Sequence, residues 1–120
     1  MKFRLLLFIL GQKLKKAAKK NDSFRKFIKG KNIRIVMKTT AGQGKAFIIQ
    51  NGSVSTSKDL AQADAALIWS DGNTAFSVLS SGDDEAIIAA LTEKKLQSEG
   101  NYKDFIWFLT ALGKLSPQQS

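Results

Sequence analysis

Neither cysteine nor histidine occurs anywhere in the 120 residues, and proline occurs once. Without cysteine there is no disulfide framework and no thiolate chemistry. Without histidine the commonest general base, the usual zinc ligand and the serine–histidine nucleophile systems are gone too. Ten carboxylates remain, but no two stand in the spacing of a catalytic or metal-binding pair. Phosphate-cradling loops are also missing: Gly42 and Gly44, in Ala41-Gly42-Gln43-Gly44-Lys45, make neither a P-loop nor a GxGxxG turn. These exclusions favour a binding protein over an enzyme, with no cofactor and no metal expected. The length suits one domain, and 43% hydrophobic residues suit a folded core rather than a disordered chain.

Negative charge is scarce only at one end. The net +9 divides into about +13 over residues 1–45, where Asp22 is the sole acid, and about −4 over residues 46–120. A basic end on an acidic body points to one adhesive face rather than a uniformly basic nucleic-acid binder. Residues 1–20 read as a basic amphipathic helix, with Phe3, Leu6, Leu7, Leu10, Leu14, Ala17 and Ala18 falling within about 120° of one another. Leu5, Phe8 and Ile9 break that pattern, pointing to the side that later carries lysines. The six-residue run Leu5–Leu10 is short for a membrane span, which needs about 20 residues, and for a signal core of about 7–15. No small-x-small cleavage site follows it. An interfacial helix, lying on a membrane rather than across it, fits better.

Downstream, Asp22 is read as the N-cap of a short helix carrying Phe24, Phe27 and Ile28, closed at Gly30. Strands are expected at 33–39, 46–50, 53–57 and 64–69, with Asn51-Gly52 a strong two-residue hairpin signal. Ser70-Asp71 caps a helix that ends near Gly82, and Asp83-Asp84-Glu85 opens the next. An extended piece at 96–99 leads to a last helix over about 102–112, and 116–120 reads as a frayed tail. The expected fold is α+β, a mainly antiparallel sheet covered by helices, with residues 21–115 as the domain proper.

That element order, with the residues that punctuate it, resembles the sterol-carrier-protein-2-like domain family. The matching features run from about Phe24 to Leu115: Gly30-Lys31, Asn51-Gly52, Ala63-Asp64-Ala65-Ala66-Leu67-Ile68-Trp69-Ser70, and Lys95-Leu96-Gln97-Ser98-Glu99-Gly100-Asn101. The last looks like the family's Gly-Lys-Leu-x-x-x-Gly-Asp segment, with Lys94 where the family often has glycine and Asn101 where it often has aspartate. The resemblance implies a curved sheet whose helices enclose an apolar tunnel for a lipid, fatty-acyl chain or sterol, and no catalysis. The basic lead helix and Phe24…Phe27-Ile28-Lys29-Gly30-Lys31 look like bacterial members that assist ubiquinone synthesis. Those hold a hydrophobic precursor for other enzymes, which would be partners here.

On that footing the tunnel-lining candidates are Phe47, Ile49, Leu67 and Trp69 from the strands, Phe76, Leu79, Ile88 and Leu91 from the middle helices, and Phe105, Phe108, Leu109 and Leu112 from the last. Residues of this kind equally describe a filled core. In the last helix Phe105, Ile106, Leu109 and Leu112 share the apolar face, with Tyr102 and Phe108 at its margins. Trp107 lies about 180° away, beside Lys103, Thr110, Ala111 and Lys114. There it either meets a bilayer headgroup region or packs under the N-terminal helix or in a dimer contact. Candidate contacts to an anionic membrane are Leu5, Phe8, Ile9, Lys13, Lys16, Lys20 and Trp107, giving a cytoplasmic, peripherally membrane-associated carrier. The rival readings are phosphate tracking by the basic segment, disfavoured because aromatics are not interleaved with it, and docking of the apolar helix in a protein groove.

Overall fold

The computed structural model describes residues 2–81 and 84–115. The expectations placed on Gly82, on Asp83 and on the 116–120 tail lie outside the described residues. In chain order the elements are α1 (Lys2–Lys20), α2 (Asp22–Ile28), β1 (Ile33–Thr39), β2 (Gly44–Gln50), β3 (Ser53–Ser57), β4 (Ala65–Trp69), α3 (Gly72–Ser81), α4 (Asp84–Thr92), β5 (Leu96–Gly100) and α5 (Tyr102–Gly113).

The five strands form one sheet in the order β3-β2-β1-β4-β5. Its hairpins are antiparallel, and Asn51 and Gly52 both take positive φ, 54° and 76°, as a type I′ turn requires. β1 and β4 run parallel, Ile35 facing Ala65 through to Thr39 facing Trp69. The sheet is therefore mixed, α+β and mostly antiparallel, and the extended piece at 96–100 is its edge strand on β4.

Side-chain alternation splits the sheet into two unequal faces. Ile33, Ile35, Met37, Phe47, Ile49, Leu67, Trp69 and Leu96 are buried on the inner face, under α1 and α5. The outer face holds a smaller cluster of Val36, Ala46 and Ala66, covered by Leu60 and Ala63 from the β3–β4 crossover. Arg34 pins that crossover. Its guanidinium donates to the Asp59 and Ala61 carbonyls, and its backbone N–H donates to the Asp64 carboxylate at 2.8 Å.

All seven residues of the predicted inner stripe of α1 are buried, so the helix is part of the main core. Gly11 allows the helix to lie close on β3, because a Cβ there would stand 3.3 Å from the Thr56 methyl. Helix caps are partly as read. Asn21, not Asp22, caps α2, its side chain accepting from the Phe24 N–H at 3.0 Å. Asp71 caps α3 and accepts from the backbone and hydroxyl of Thr74, which hold its carboxyl below the usual range. The inner face of α5 is rotated from the expected one. Phe105, Phe108, Ala111 and Leu112 are buried, while Ile106 is exposed.

Two backbone positions bracket β5. Lys94 sits at φ 61°, the left-handed region that glycine occupies most easily. Gly100 sits at φ 82°, and a Cβ on it would meet the Asp64 carbonyl at 2.6 Å. Opposite outcomes are expected from swapping side chains at these sites. Gly100→Ala should lower unfolding free energy by about 1–3 kcal/mol. Lys94→Gly should leave it unchanged or raise it by up to about 1 kcal/mol, left-handed strain being offset by unfolded-chain entropy. Urea denaturation of both variants checks this pair.

Candidate lipid site and outer helix face

The inner face of the sheet and the undersides of α1 and α5 enclose one continuous apolar layer. Of the lining candidates, Phe47, Ile49, Leu67, Trp69, Phe105, Phe108 and Leu112 are buried in it. Phe47 and Phe108 meet ring to ring across the layer, with centroids 5.7 Å apart. Phe76, Leu79, Leu91 and Leu109 are half-buried against its flank, from α3, α4 and α5. Ile88 is not brought in; it is exposed on α4.

Thr39 belongs to the same layer and was not singled out by sequence. It is the one buried polar residue among those described. The available signal was the two-residue step Ile33, Ile35, Met37, which continues to Thr39 on the same face. At this strand end Gly42 donates its N–H to the Thr39 carbonyl, and Thr39 donates its own to Gln43. The loop so formed lines a cleft of about 480 Å³ with Arg4 and Leu7 of α1, Lys45 and Lys58. A second cleft, of about 650 Å³, lies at the other end of α1 between Ala18, Arg25, Lys26, Lys29 and the Asn51-Gly52 turn.

The outer side of α1 is uneven along its length. Leu5 and Phe8 are more than half exposed, Ile9 is 38% exposed, and Lys13, Lys16 and Lys20 follow them, also exposed. At 100° per residue all six fall on one outward strip, greasy at the start and cationic after it. Among the described residues no helix is long and apolar enough to cross a membrane. No group of three His, Cys, Asp or Glu among them could hold a metal ion.

Trp107 is half-buried and stacked on Phe27 of α2, centroids 5.0 Å apart and planes 8° from parallel. The Lys31 ammonium lies 5.0 Å from the Trp107 ring centre and the Lys114 ammonium 4.9 Å from that of Phe27. Lys31 also reaches Asp104 at 3.4 Å, tying the start of β1 to α5. This stack joins α2 to α5. A double-mutant cycle on Phe27→Leu and Trp107→Leu should return a coupling of about 1 kcal/mol in unfolding free energy.

No family model matches the sequence, and no curated protein matches it either. Solved structures do match. One described as a UbiJ-SCP2 ubiquinone synthesis protein aligns over 98% of this chain and 96% of its own, with TM-score 0.69 and 12% identity. Sterol carrier protein 2 from Yarrowia lipolytica in its apo form aligns over 92% and 91%, with TM-score 0.58 and 17% identity. A sec-alkylsulfatase from Pseudomonas aligns with 74% of this chain through only 14% of its own length, at TM-score 0.53 and 13% identity. Helix order, mixed five-stranded sheet and end-to-end coverage agree: this chain has the sterol-carrier-protein-2-like fold.

Proposed function

We propose that the protein is a non-catalytic carrier of a lipid or isoprenoid that works at an anionic membrane surface. The observation that carries this reading is the near-complete alignment with folds described as sterol carrier protein 2 and UbiJ-SCP2, around a continuous apolar layer. The absence of histidine and cysteine supports carriage rather than catalysis. The sulfatase alignment covers a small part of that enzyme and lends no activity to this chain. A ligand of the quinone-precursor kind, handed to synthetic enzymes, is the narrower form. Its support is that one full-length structural neighbour is described as a ubiquinone synthesis protein. The reading places the ligand along the half-buried flank of Phe76, Leu79 and Leu91, on α3 and α4, each of which has one buried side chain among those described, Ala75 and Ala90.

Membrane contact is assigned to the outer strip of α1. Leu5, Phe8 and Ile9 are partly covered already, so sinking the rest of them into a bilayer adds roughly 3 kcal/mol together. Each lysine near an anionic surface adds about 1 kcal/mol. Both contributions are needed for reversible binding, and salt should weaken only the second.

Native mass spectrometry of the purified protein should detect a bound lipid or uptake of an added one. A ligand-free mass in every preparation, with no uptake of fatty acid or quinone, would rule out carriage. For the membrane, deleting α1 is uninformative because it removes seven core residues. The combined variant Leu5→Ser, Phe8→Ser, Ile9→Ser should keep the fold and lose about 100-fold in affinity for vesicles of phosphatidylglycerol and phosphatidylcholine. Flotation equal to the wild type's would reject the assignment.

A further inference from the structure

Two polar side-chain atoms lie inside the apolar layer without a hydrogen-bond partner among the described residues: the Thr39 hydroxyl and the Trp69 indole N–H. Thr39 is 4% exposed and Trp69 is fully buried. They are not scattered. The parallel register sets Thr39 directly opposite Trp69 as the last pair of β1 and β4. Both stand on the inner face, two residues beyond Met37 and Leu67 respectively, on strands roughly 4.8 Å apart.

Buried donors and acceptors in native cores are almost always satisfied, and an orphan is costly enough to call for a reason. The backbone here offers no such anomaly. The Thr39 N–H donates to Gln43, the Thr40 N–H donates to the Trp69 carbonyl, and the Thr40 hydroxyl donates to Ser70. The mismatch is confined to two side chains, adjacent and on the ligand side of the sheet.

We infer that Thr39 and Trp69 are the polar anchor of the lipid site and take the oxygen of an uncharged, oxygen-headed lipid. This rests on the carrier reading and narrows it to a ligand class. The indole N–H can only donate, whereas the hydroxyl donates and accepts. A quinone carbonyl takes a bond from each. A phenol or alcohol accepts from Trp69 and donates to Thr39. A carboxylate fits poorly, because no cation is buried among the described residues to offset its charge. A pure hydrocarbon leaves both groups unsatisfied. The anchor stands at the loop that lines the Arg4–Lys58 cleft, so the head would sit at the end of the layer near the start of α1.

The test uses the full chain with two probes of equal tail, a decyl-substituted benzoquinone and decylbenzene, against wild type, Thr39→Val and Thr39→Ser. Wild type should prefer the quinone, and Thr39→Val should lower quinone affinity about fivefold to tenfold while leaving decylbenzene binding unchanged. Thr39→Ser should keep the preference. In ¹⁵N spectra the Trp69 indole proton, told from that of Trp107 by Trp107→Phe, should move downfield with quinone and not with decylbenzene. If all three proteins bind both probes in the same ratio and Trp69 responds alike to each, the anchor is rejected and carriage stands. If Thr39→Val loses thermal stability without ligand and keeps the probe ratio, a buried water holds the hydroxyl and the anchor is likewise rejected. If wild type binds neither probe, carriage itself fails and the anchor with it.

Discussion

The parallel pairing of β1 with β4 is the constraint from which the remaining architecture follows. A hairpin meander would have left β4 beside β3. Instead the chain makes the β1–β2–β3 meander and then crosses back, over the outer face, to the far side of β1. That return covers Val36, Ala46 and Ala66, which would otherwise be an exposed apolar patch. Arg34 fastens it, with both its guanidinium and its backbone engaged by the crossover. The same pairing joins the apolar inner faces of β1 and β4 at the centre of the sheet, so α1 and α5 have a wide surface to cover.

Local signals were legible where a residue acts through its immediate neighbours. Asn51-Gly52 forms its turn by backbone conformation alone, and the alternation of Ile33, Ile35 and Met37 sets its own inner face. The stripe of α1 was legible for the same reason, since seven residues at helical spacing have one way to be buried together. Long-range facts were not. Nothing local to 65–69 says that it pairs in parallel with 33–39, because a short apolar strand carries no label for its partner's direction. The cap of α2 fell one residue early, at Asn21, since both Asn and Asp serve and only geometry chooses.

The site divides along the same line. Which apolar residues share the layer could be read for the strands, but α5 turns Phe108 and Ala111 inward because it must fill the space over β1, β4 and β5. Ile88 is apolar at helical spacing yet faces out, because α4 turns Ile87, Ala90 and Leu91 toward the core instead. Trp107 shows that an aromatic on a nominally polar face can be claimed by a helix distant in sequence, here through Phe27. Family resemblance predicted glycine at 94, and the left-handed backbone there marks why that residue type suits the position although lysine occupies it.

Helix α1 is locked by one side into the core and bare on the other. A lead segment joined by a loose linker would let the rest of a domain tumble freely about it. Here there is no such joint. Any surface that engages the outer strip fixes the orientation of the whole body. The opposite face of the sheet, covered by the Arg34-fastened crossover, then points away from that surface.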